Sequence, residues 1–153
     1  MLSKNSITLV LLCLLFFAGC GGEISDPESV VCIDTKHVLY EHFLIACGNK
    51  EPLLTGVNDI NNDGLEDLIV IYQDTAATNK MIAIWQEGGE VIISEPTPAP
   101  LENYRIEWRD IDDKEPIELI VSGSKGGNVG YAIYRWENGD FINLFGEGME
   151  ACC

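Results

Sequence analysis

The sequence predicts an all-β protein built from two similar four-stranded antiparallel sheets. Three observations carry this. Short runs of β-branched and aromatic residues follow one another between turn signals, with no sustained helical period. The run Asp59-Ile60-Asn61-Asn62-Asp63-Gly64-Leu65-Glu66-Asp67-Leu68-Ile69-Val70 returns 51 residues later, in altered form, as Asp110 to Val121. The same offset takes Trp85 to Trp136, Gly88 to Gly139, Val91 to Ile142 and Ile93 to Leu144. A period near 50 residues marks a repeated β unit.

Taken in order, the chain opens with a leader. Lys4 is followed by an uncharged, mostly apolar run from Ile7 to Ala18, and Phe17-Ala18-Gly19-Cys20 closes it. This is the layout of a secretory signal, too short for a membrane span of about 20 residues. Its end resembles a bacterial lipobox. That resemblance implies cleavage before Cys20, acylation of the Cys20 thiol and a place in the bacterial cell envelope. With Gly21 after the cysteine, it favours the outer membrane where the cell has two. Residues 1–19 then form the signal peptide, 20–29 a tether, and 30–153 the β domain.

Within 30–153, Val30 to Ile33 and His42 to Ala46 are candidate strands ahead of the repeats. The first repeat, about residues 50–95, has Leu53 to Val57, the acidic loop, Leu68 to Tyr72, Met81 to Trp85, and a turn at Glu87-Gly88-Gly89 into Val91 to Ile93. Pro96 to Pro100, with alternating prolines, predicts a stiff extended linker. The second repeat, about 101–146, has Tyr104 to Trp108, Leu119 to Ser122, Tyr131 to Trp136 and Phe141 to Phe145, with Asn138-Gly139 as a hairpin signal.

Removal of the leader takes away Lys4 and no acid, leaving a formal charge of −17, from 8 basic and 25 acidic groups. Such a surface repels nucleic acid and attracts cations. Cys32, Cys47, Cys152 and Cys153 remain after Cys13 and Cys20 are set aside. In an oxidising compartment four cysteines allow two disulfides in three connectivities. Bridging adjacent Cys152 and Cys153 would be strained, so each is expected to pair with Cys32 or Cys47.

The loop carries the chemistry. Asp59, Asn61 and Asp63 alternate and can point inward together, Gly64 permits a left-handed turn, the Leu65 carbonyl adds an oxygen, and Asp67 closes the set. An all-oxygen set with crowded carboxylates suits a hard divalent cation, calcium before magnesium. An EF-hand would need a bidentate Glu where Val70 stands, and a helix where a strand run follows. The loop and its repeat resemble the FG-GAP/VCBS family, whose integrin-type β-propeller blades carry Asp-x-Asp-x-Asp-Gly-x-x-Asp before a Leu-x-Val strand. Asp59, Asn61, Asp63, Gly64 and Asp67 match position by position. The resemblance implies calcium in the loop between the first two strands of a blade. In the second copy Lys114 and Glu115 replace the third ligand and the glycine, so one ion is expected in the chain, with Lys114 neutralising Asp110 and Asp112.

Two blades do not close a propeller of 4–8. The sheets are expected either to pack together as a sandwich or to join a ring of several chains. His37 and His42 are too poorly aligned to share a metal. No nucleophile elbow, zinc-protease motif or phosphate loop is present. Gly123 to Gly127 imitates a phosphate cradle in composition alone and reads as a hairpin loop. Trp85 and Trp136, at equivalent repeat positions, read as packing residues. The expected function is a calcium-stabilised, membrane-anchored binding or scaffold lipoprotein, not an enzyme, held by acylated Cys20 and engaging a protein partner in the envelope. The alternatives are a small carbohydrate-active or hydrolytic envelope enzyme and a redox or metal-handling protein using Cys152 and Cys153.

Overall fold

Residues 32–153 are described by a computed structural model. The leader, the Cys20 site, the tether and the start of the first candidate strand lie outside the described residues. Helix α1 (Tyr40–Cys47) leads into β1 (Pro52–Asn58), β2 (Asp67–Thr75), β3 (Thr78–Glu87), β4 (Glu90–Ile93) and β5 (Thr97–Ala99). Then come β6 (Glu102–Arg109), β7 (Glu118–Lys125), β8 (Asn128–Glu137), β9 (Asp140–Glu147) and a short α2 (Met149–Cys152). The fold is all-β with two antiparallel sheets, ordered β1-β2-β3-β4 and β6-β7-β8-β9. All eight strands expected in the two repeats are present.

Two expectations are corrected. His42 to Ala46 is helical, because Leu39, Tyr40 and Phe43 share a helix face and bury it on the first sheet. Phe43 packs against Tyr72 with ring centroids 5.8 Å apart, and the helix ends at Gly48. Nor is the proline segment a free linker. Thr97 to Ala99 pairs with β3 beyond the end of β4. At the break the Ser94 hydroxyl accepts a hydrogen bond from Ala83 N–H, while Ser94 N–H donates to Ala83 O. β4 and β5 thus together do what β9 does alone.

The repeat is real in three dimensions, with one slip. Asn58 pairs with Asp67 and Arg109 with Glu118, an offset of 51. Past the next hairpin the offset becomes 50, since Glu87 pairs with Glu90 and Glu137 with Asp140. The extra residue is Asp74, which bulges between the Gln73 and Thr75 rungs. Trp85 and Trp136 are therefore not equivalent. Trp85 stands opposite Ile92, whereas Trp136 stands opposite Phe141, the counterpart of the Gln86–Val91 rung.

That slip fits how the sheets stack. The first sheet buries Ile69, Ile71, Met81, Ala83 and Trp85 against Leu119, Val121, Ala132, Tyr134 and Trp136 of the second. Trp85 and Trp136 meet edge to face at 4.8 Å. Leu119 and Val121 correspond to Leu68 and Val70, which lie on the opposite face of the first sheet under α1. The front of one sheet thus packs on the back of the next, as in a stack of blades. Helix α1 covers the back of the first sheet. The front of the second sheet, with Ile120, Ser122, Tyr131 and Ile133, is left half-buried, and Ile142, Leu144 and Phe145 of β9 are exposed.

Candidate metal centre

The first loop joins β1 to β2 and is closed by its own side chains. Asp63 N–H donates to Asp59 Oδ1 and to Asn61 Oδ1, at 3.1 and 2.9 Å. Gly64 N–H donates to Asp59 Oδ2 at 2.8 Å, and Leu65 N–H to Asp63 Oδ1 at 2.8 Å. Asn62 and Gly64 take positive φ, 62° and 86°. Glycine is the residue with no steric penalty there, and its N–H reaches Asp59. The sequence thus draws Asp59, Asn61, Asp63 and Leu65 into one small turn, as expected from their alternation.

Asp67 is the decisive residue. It begins β2 and is fully buried. Its Oδ2 accepts from Ile60 N–H at 3.0 Å, while its Oδ1 has no partner. A buried carboxylate oxygen without a partner is costly. Burial first, then the Asp63 and Asp59 charges, push the Asp67 carboxyl up to about 6. The backbone N–H groups of Ile60 and Asn61 only partly counter this. The loop is therefore an anionic, all-oxygen set with one buried oxygen unmatched, the donor chemistry that a hard divalent cation takes.

The second loop, between β6 and β7, is resolved differently. Among the described residues it holds the tightest acidic trio, with ligand oxygens of Asp110, Asp112 and Glu118 within 4.8 Å of one another. A cation is already there. The Arg135 guanidinium bonds Asp112 Oδ1 at 2.6 Å and also Glu118 Oε1. Glu118, the counterpart of Asp67, is fully buried and uses its other oxygen to accept from Ile111 N–H at 2.8 Å. Arg135 and Lys114 together hold the Asp112 carboxyl below the usual carboxylate range, Arg135 contributing more. Lys114 bonds Asp112 at 3.0 Å, but the Asp110 carboxylate accepts from Asp113 N–H. The expected role of Lys114 is thus secondary, and Arg135 is the cation that this loop holds.

Sequence reasoning missed Arg135. The readable signal was a single arginine inside the strand run Tyr131-Ala132-Ile133-Tyr134-Arg135-Trp136. Arg135 lies one residue past the Leu119–Tyr134 rung. At the same place beside the first loop, one residue past Leu68–Ile84, stands Trp85. The first loop therefore has an aromatic ring where the second has its internal cation.

The other candidate residues are placed as follows. Cys32, Cys47, Cys152 and Cys153 are all free thiols, so the expected bridges from Cys152 and Cys153 to Cys32 and Cys47 are not made. Cys47 ends α1 behind the first sheet, and Cys152 and Cys153 lie at α2, which packs on β7 and β8. Trp85 and Trp136 bury their rings against each other, which agrees with their reading as packing residues. A cleft of about 1170 Å³ opens between the hairpins of the two sheets, bordered by Asn61 and Asp63 of the loop. Among the described residues no helix is long and apolar enough to cross a membrane.

Comparison with protein-family models, with curated proteins and with solved structures gives no match.

Proposed function

We propose that this protein is a calcium-stabilised, membrane-anchored envelope lipoprotein that serves as a binding or scaffold module without catalysis. The observation that carries the reading is the unpartnered, buried Oδ1 of Asp67 at the end of an oxygen-rich loop. A divalent ion held by Asp59, Asn61, Asp63, the Leu65 carbonyl and Asp67 would supply the missing partner and offset the crowded negative charge. Bound only by the folded state, it stabilises by mass action. FG-GAP/VCBS-type blades remain the proposed kinship, supported by the front-to-back stacking of the two sheets. Cys20 is the proposed anchor, through its lipobox-like context.

The binding role is supported by the open front of the second sheet. The corresponding face of the first sheet is covered by a neighbouring sheet, and continuing that packing mode would place a partner protein's β-sheet over Ile133, Ile142 and Phe145. Titration calorimetry tests the central claim. One calcium ion per chain should bind the wild type and none should bind Asp63→Ala; equal heats for the two would defeat the site assignment. Metabolic labelling with a fatty acid, lost in Cys20→Ser, tests the anchor separately.

A further inference from the structure

The end of the domain gathers three sulfurs that the calcium loop does not use. Gly148 turns the chain with φ 70°, and a Cβ there would lie 2.5 Å from Val129 O, so only glycine brings α2 this close to β8. Gly130 then leaves the space that the Cys152 sulfur fills; a Cβ on Gly130 would stand 2.8 Å from that sulfur. Cys152 is fully buried. Its Sγ lies 3.7 Å from Met149 Sδ and 3.5 Å from Cys153 Sγ. We propose that Met149, Cys152 and Cys153 form a binding site for one soft monovalent metal ion, copper(I).

The chemistry selects the ion. Two thiols and a thioether are soft donors that favour copper(I). Structural zinc sites take four nitrogen, sulfur or carboxylate ligands, and a thioether is not among them. Two metal–sulfur bonds of about 2.3 Å opened to a trigonal angle put the sulfurs about 4 Å apart, so the Cys152–Cys153 and Cys152–Met149 separations are each within about half an ångström of what an ion needs. Copper(I) held by two thiolates carries one net negative charge. The Lys125 ammonium, 3.4 Å from the main-chain oxygen of Cys153, is the cation beside the site. A largely apolar cavity of about 360 Å³, bordered by Pro98, Tyr134, Met149, Glu150 and Cys153, leads to the site from outside. Binding releases the protons of the two captured thiols to solvent, with no change in oxidation state.

The test uses the full chain, purified under reducing, anaerobic conditions with calcium present. Copper(I) is titrated against a chromophoric copper(I) chelator. One ion per chain should be retained, with a thiolate-to-copper charge-transfer band, by both the wild type and the Cys32→Ser/Cys47→Ser variant. Cys153→Ser should lose that ion, and Met149→Leu should hold it at least tenfold more weakly. Far-ultraviolet dichroism and calcium stoichiometry, both unchanged, show that these variants fold. Three results would overturn the site: wild-type affinity in a folded Cys153→Ser, zinc retained in preference to copper(I), or a Cys152–Cys153 disulfide in protein isolated anaerobically from the cell.

Discussion

Asp67→Asn tests the metal loop through a reversal of sign. In the calcium-free protein the Asp67 carboxyl is moved from 3.8 to about 6, mainly by burial. A carboxyl shifted that far makes its charged form about 3 kcal/mol less favourable at neutral pH. The folded state binds the extra proton, so stability without calcium falls as pH rises from about 4 to about 6, and the cost is complete above that window. Asparagine keeps an oxygen for Ile60 N–H and replaces the unpartnered Oδ1 with an amide that can donate to the loop oxygens. In EDTA at pH 7 the variant should therefore be more stable than the wild type, by roughly 1–3 kcal/mol after allowance for imperfect amide geometry. In calcium at a hundredfold excess over Kd the wild type regains about 2.7 kcal/mol, and the variant regains little. Urea melts followed by the fluorescence of the buried Trp85–Trp136 pair read both numbers. A variant less stable than the wild type in EDTA would refute the reasoning, because Asp67 would then be stabilising without an ion.

Other outcomes follow from the same geometry. Arg135→Met should lower the unfolding midpoint by leaving Glu118 buried without its cation, and adding Glu118→Met should restore much of the loss; chemical denaturation of the single and double variants checks this. Phe43→Ala removes the side chain through which α1 covers the first sheet and should cost about 3–5 kcal/mol in a urea melt. Gly123→Ala places a Cβ 2.3 Å from Pro100 Cβ and 2.8 Å from Glu102 O. It should destabilise by about 1–3 kcal/mol through overpacking, measurable by thermal denaturation.

Much of the architecture was legible because it is local. Runs of β-branched and aromatic residues marked the eight strands of the repeats, and the spacing of Asp59, Asn61, Asp63 and Gly64 marked a tight loop with inward-pointing oxygens. Where reading failed, distant contacts decided. His42 to Ala46 is an apolar run that either a strand or a helix could use, and the sheet face beneath it made it a helix. The 51-residue offset hid the Asp74 bulge, because a one-residue slip changes which face a side chain takes without changing composition.

The sequence alone thus determined the strands, the acidic loop and its degenerate copy, since each rests on neighbours a few residues apart. Only the tertiary structure decided that the front of one sheet packs on the back of the next. It also decided that Arg135 fills the second loop as its cation while Asp67 is left with an unmatched oxygen in the first. Those outcomes depend on which strands become neighbours and on what is removed from water when they do. Burial turns a surface carboxylate, worth little by itself, into a demand for a positive partner.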